Sequence, residues 1–310
     1  MWFPAISMVL SLYLGFAISR NRLCSLIAAS ELLTQKNLSF YSAFGLVIGA
    51  AAIVVLPLGW LHAPWFALPR AAIITGPVLA GAAIAGLGAF VNGACPIGTL
   101  TRIGLGELQF LFTLVGLAVG FVILDATQFL PTVTTLSERS DWPLVVWIAA
   151  LLAFGCLYWV SDRYLARRPG AETRLLRVMM PMLGVAGAML FVLSSHPSYV
   201  DAIHQLVAAA PTTLMTRIGT GLVGAAAVIG GLLGGFTSGN FVLRWPSAVG
   251  FFRCLLGGVV TAVGGKLMGS GAEQLLLSGV PSGASSSIVC LVVMSLTILG
   301  LVGLSRQFAW

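Results

Sequence analysis

The segment N-G-A-C-P-I-G-T-L-T-R-I-G-L-G-E at 92–107 carries a thiol, a proline, an arginine and a carboxylate between two apolar runs, each long enough to cross a bilayer. Proline is favoured at the first position of a helix, where its missing N–H costs nothing. Pro96 is therefore expected to start a short helix with Cys95 at its N-cap. The free N–H groups of Ile97, Gly98 and Thr99 would then point back toward the thiol. Such a helix start carries roughly half a positive charge and offers donors to an anion. Gly93 and Gly98 allow backbone or ligand to come close, and Asn92 belongs to the same candidate path. A cysteine in this place can act as a thiolate nucleophile or as a weak S–H donor, and the second role suits a large anion that carries sulfur. Arg102 reads equally as a cation on that path or as a topological anchor, and Glu107 as an interfacial helix-start residue.

A second candidate is Cys24, which follows Arg20 and Arg22 by four and two residues. It is either an incidental thiol in a basic turn beside the membrane or a second thiol on the same path. Cys156, Cys254 and Cys290 lie within apolar runs and read as small buried hydrophobes. No C-x-x-C occurs and no histidine stands at zinc-ligand spacing, so neither a metal nor a cofactor is expected.

These residues must be held by elements inside a bilayer. Apolar types make up 58% of the 310 residues and charged types 8%, too few polar groups to cover a water-facing surface of this size. The expected fold is all-α and polytopic, with nine transmembrane helices at 3–19, 41–60, 72–92, 108–127, 144–161, 178–194, 216–236, 250–269 and 284–304. The first span carries its basic residues after the apolar run, the reverse of a cleaved signal peptide. Of the sixteen Lys and Arg residues, all but Arg70, Arg139, Arg217 and Lys266 then fall on one side. That bias puts the N-terminus outside and the C-terminus in the cytoplasm. It also accounts for the net charge of +7 without any nucleic-acid partner. Trp2, Trp60, Trp142, Trp159, Trp245 and Trp310 stand near span ends, as in an interfacial belt. His62, His196 and His204 fall in expected outer loops, and no buried chain of Asp, Glu or His marks a proton relay.

Sliding the chain by 177 positions sets Gly81 against Gly258, Gly88 against Gly265, Gly106 against Gly283 and Cys95 against Ala272. Each segment is a small-residue helix, a glycine break, a short apolar stretch and a second glycine break. Two broken, re-entrant segments related by a pseudo-two-fold inverted repeat are therefore expected, within one transport domain over 1–310. Its repeat-like halves would be roughly 1–127 and 216–304, joined by 128–215. Paired breaks of this kind point to a substrate site, which adds Gly271 and Ala272 to the candidate path.

At these residues the chain resembles the YeeE/YedE family of bacterial inner-membrane proteins, associated with uptake of thiosulfate and related sulfur compounds. The resemblance rests on R-x-R-x-C at 20–24, the 92–107 motif, and G-G-K-L-M-G-S-G at 264–271 leading to L-L-L-S-G-V-P at 275–281. It implies an hourglass of helices whose broken segments meet at the centre, with Cys24 and Cys95 passing thiosulfate by S–H hydrogen bonds. It also implies a small cytosolic TusA-like sulfur carrier as partner. The third cysteine of better-studied members is absent, because Ala272 stands in its place. A permease in the bacterial inner membrane is thus expected rather than an enzyme. The alternatives are a thiol-dependent sulfurtransferase using the same thiolate, a transporter of another sulfur or selenium compound, and a subunit of a larger complex. A rhomboid-type hydrolase is disfavoured, because no histidine lies in a span to serve a serine nucleophile.

Overall fold

A computed structural model describes residues 3–61, 71–127, 135–136, 143–168, 170–193, 198–207 and 214–308. His62, Arg70, Arg139, His196, Trp2, Trp142 and Trp310 lie outside the described residues, as does the side chain of Arg217. Among the described residues, nine long helices stand where the nine spans are expected: α1 (Phe3–Arg20), α3 (Ser39–Trp60), α4 (Gly76–Asn92), α6 (Leu111–Thr127), α7 (Leu144–Ala166), α8 (Ala171–Leu193), α10 (Leu214–Thr237), α11 (Ala248–Met268) and α13 (Ser285–Phe308). Eight stretches among the described residues are long and apolar enough to cross a membrane, and α1 is the ninth long helix. Four short elements interrupt the series: α2 (Ser25–Gln35), α5 (Pro96–Gly104), α9 (Tyr199–Val207) and α12 (Ala272–Gln274), the last running into a single π turn at Leu275–Gly279. Ala71–Ala72 and Thr135–Leu136 form a two-residue antiparallel clip.

Small residues set the helix spacing. Lipid supplies no hydrophobic drive between helices, so close van der Waals approach does the work. On α10, a Cβ on Gly230 would meet the Leu12 carbonyl oxygen of α1 at 1.9 Å, and one on Gly235 would meet the Gly104 carbonyl oxygen at the end of α5 at 1.8 Å. The overlapping G-x-x-x-G pairs thus serve two faces of one helix. In contrast, α7 is peripheral, with Val145 and Leu152 about 70% exposed toward the lipid.

The packing repeats along the chain. Helix α1 lies on α10 as α8 lies on α3, and α6 lies on α11 as α13 lies on α4. Helix α2 touches α3 and α13, as α9 touches α10 and α6. Both α4 and α11 end on a left-handed glycine, Gly93 (φ +82°) and Gly269 (φ +70°), 176 positions apart. A second left-handed pair, Gly106 and Gly283, lies 177 positions apart and precedes the next long helix in each case. The correspondence takes in α8 and α9, which fall within 128–215.

One face of the bundle is basic. Arg20 bonds the Thr237 carbonyl, Arg168 bonds Asn37 (2.9 Å), and Arg306 bonds the Ser30 carbonyl (3.2 Å). There the turn at 105–108 pairs with the strand-like segment 242–244, through Val242 N to Leu105 O (3.0 Å) and Arg244 N to Gly106 O (2.9 Å). The opposite face carries Lys266, held by Asp125 at 2.7 Å.

Candidate functional site

Three short helices begin near the middle of the bundle. Cys24 is the N-cap of α2 and Cys95 the N-cap of α5, while α9 begins at Tyr199, directly after Ser198. Pro96 at the first position and an extended Cys95 (φ −70°, ψ 168°) give α5 the start its sequence specifies. The two thiols are buried, with sulfurs 3.9 Å apart. Cys95 Sγ accepts from Gly98 N at 3.3 Å and lies 3.5 Å from Ser25 N, so the starts of both α5 and α2 direct N–H groups at one sulfur. From the other half, the Tyr199 hydroxyl donates to the Pro96 carbonyl at 2.6 Å.

The break before α5 is held by Asn92, which is 1% exposed. Its Nδ2 donates to Ala94 O (2.8 Å) and Thr99 Oγ1 (3.0 Å), and its Oδ1 accepts from Thr113 Oγ1 (2.7 Å). Asn92 and Thr99 therefore shape the loop. Gly98 has a steric duty, because a Cβ there would lie 2.3 Å from Cys24 Sγ. Gly93 is where α4 reverses, and Arg253 covers it, with Nη2 3.5 Å from the Asn92 carbonyl oxygen. Arg102 is not brought to the thiols. It stands in the last turn of α5, paired with Glu107 at 2.8 Å and packed over Phe110.

Two cavities lie beside this centre, and the second has Cys95 in its wall. A vestibule of about 360 Å³ on the Lys266 face is lined by Asp201, His204, Lys266, Gly271, Ala272 and Pro96. A second cavity of about 190 Å³, lined by Ser25, Tyr41, Cys95, Ile97 and Ala272, lies beside α2 and α3. Ala272 and Met294 line both and so belong to the partition between them. A Cβ on Gly271 would meet no atom within 4 Å, so the vestibule floor is open there.

Sequence reasoning missed three residues at this centre. Ser25 Oγ is buried with no hydrogen-bond partner among the described residues, in the cavity that holds Cys95. Tyr199 and Ser198 fall in a stretch read as an outer loop. The signal available for them was their place in the repeat, since Ser198 follows Cys24 by 174 positions and stands at the equivalent helix start.

Among the described residues no cluster of His, Cys, Asp or Glu has the arrangement of a metal site. What the centre does offer an anion is N–H groups, two S–H groups and an unpaired hydroxyl, all screened from water. A protein-family model described as sulphur transport matches residues 20–300. No curated protein matches the chain.

Proposed function

The chain belongs to the sulphur-transport (YeeE/YedE) family, matched over nearly all its length, and from that premise we propose that it takes up thiosulfate past the Cys24–Cys95 thiol pair. Family and fold make it a multi-pass membrane transporter of sulfur compounds. The observation that carries the finer reading is the pair itself: two buried thiols 3.9 Å apart, with N–H groups aimed at Cys95 and Cys95 in the wall of a cavity. Thiosulfate is a dianion with a soft terminal sulfur, which matches S–H and N–H donors better than it matches a fixed cation.

On this reading the anion enters the vestibule over Gly271, passes Ala272 and Pro96, and meets Cys95, Ser25 and Ile97. It then leaves past Cys24 toward the basic face. That face is the cytoplasmic one of a bacterial inner membrane, with the N-terminus outside, and a TusA-like carrier would collect the product there. Asn92, Gly93, Gly98 and Thr99 hold the path in shape, and Arg102 acts at its exit. The repeat units are 3–127 and 171–308, with α7 as the connector.

The test is uptake of labelled thiosulfate by cells that lack their own route. Cys95→Ala is expected to abolish it, and unchanged uptake would remove Cys95 from the mechanism. Growth on thiosulfate, sulfate and other sulfur sources, one at a time, tests the substrate. A sulfurtransferase is the second reading, favoured by the N–H groups that would stabilise a Cys95 thiolate. In that reaction the thiolate attacks the outer sulfur of thiosulfate, the new S–S bond leaves a persulfide on Cys95, and sulfite departs with the electron pair of the broken bond. Mass spectrometry after thiosulfate exposure separates the two, since a permease leaves Cys95 unmodified.

A further inference from the structure

Glu273 lies between two lining residues of the vestibule, Ala272 and Gln274, yet turns inward and is 8% exposed. Its Oε2 accepts from the Ser198 hydroxyl, and its Oε1 is buried with no hydrogen-bond partner among the described residues. The carboxyl borders a separate cavity of about 30 Å³, enough for one or two waters, otherwise lined by Ser11, Ser198, Tyr199 and apolar residues of α1, α5, α8 and α10. Its titratable neighbours are Asp201 and Cys95, with Tyr199 beside them tied to the Pro96 carbonyl. None is a cation. The basic side chains that line the vestibule, Lys266 and His204, are both paired with Asp125. An ionised carboxylate with one hydroxyl partner and no counter-charge is unstable in such a place, so the group takes up a proton.

We propose that Glu273 carries a proton inward with each anion, which makes the protein a proton symporter. This rests on the thiosulfate reading above. The proton arrives from the vestibule, where Asp201 lines the wall and Ala272 and Gln274 flank Glu273, and it leaves through the water-sized cavity toward the α1–α5 side. Glu273 lies one residue past Ala272, the position that faces Cys95 in the 177 register, and Ser198 pairs with Glu273 much as Cys24 pairs with Cys95. One half would thus handle the anion and the other the proton. A sodium ion is a poorer fit, because the cavity supplies too few oxygens to replace a hydration shell.

The test uses the full chain in sodium-free proteoliposomes with the membrane potential clamped. An acid-outside gradient is expected to raise thiosulfate uptake several-fold, and thiosulfate added outside should acidify the lumen. Glu273→Gln keeps an acceptor for Ser198 and is expected to move thiosulfate downhill only, with neither gradient response nor lumen acidification. Uptake by the wild type that ignores the pH gradient overturns the coupling and leaves the thiosulfate reading intact. So does a Glu273→Gln variant that is still driven by the gradient. If the wild type moves no thiosulfate at all, both readings fall together. Should the variant not fold, the wild-type gradient and lumen measurements decide alone.

Discussion

Two sulfurs 3.9 Å apart, each at the cap of a short helix, have a chemical consequence beyond binding. A disulfide needs them at about 2.05 Å, a closure small enough for side-chain rotation and slight backbone adjustment. A mild oxidant is therefore expected to join Cys24 to Cys95 and stop uptake, and a thiol reductant to restore it. Cys24→Ser should be indifferent to the oxidant, and a wild type that transports unchanged after oxidation would place the thiols off the path. Gly98→Ala tests the same spot sterically. Its new methyl collides with Cys24 Sγ, so the thiol must swing away at about 1–3 kcal/mol of overpacking. The expected result is a folded protein with uptake reduced at least tenfold. Asn92→Ala should behave differently. It strips three buried hydrogen bonds from the break, at about 1–3 kcal/mol for each group left unsatisfied, so the loss should appear as a lower thermal midpoint in detergent. Arg102→Ala, which breaks a single partly buried pair with Glu107, should move that midpoint less.

At the scale of helices, the glycines of α10 are the most exacting contacts. Gly235→Ala forces a methyl into the Gly104 carbonyl, backbone that cannot step aside, and should destabilise the protein by several times the ~1 kcal/mol of an average substitution. A comparable change at Gly300 of α13, which has nothing within 4 Å, should be neutral in the same melting experiment. The long helices were legible in the sequence because a span is a long signal, about twenty apolar residues with charged flanks. Cys95 and Pro96 were legible too, because a proline at a helix start has a local cause. The second half was harder. Helix α9 is nine residues long and polar enough to pass for a loop, and α12 is a single turn that a hydropathy window cannot register. Glu273 escaped for the same reason. It lies outside every span by composition, and only the fold of the break carries it to the interior. The sequence register at 177 found Ala272 opposite Cys95. It could not say that the functional contrast lies one residue further on.

For the whole molecule the governing quantity is charge movement. Each negative charge entering a compartment held 100 mV negative costs roughly 2.3 kcal/mol, so a dianion costs roughly twice that and one accompanying proton removes half. Collapsing a negative-inside potential with an ionophore should therefore raise the initial uptake rate, and a rate that is unchanged would mean the cycle moves no net charge. Reporter fusions at the C-terminus should be active only in the cytoplasm if the basic face is the inner one. The partition between the two cavities bears on how such a cycle runs. It includes one methyl group and one thioether, Ala272 and Met294. Collective rocking of helices takes microseconds to milliseconds, and rotation of one side chain, even a buried one such as Met294, is a smaller event. Were Met294 the whole barrier, alternating access would require only that this side chain turn. The helices could then be frozen in place, by cross-links or by tighter packing, without slowing turnover. In most carriers rigidity trades against speed, and in this one the two would be independent.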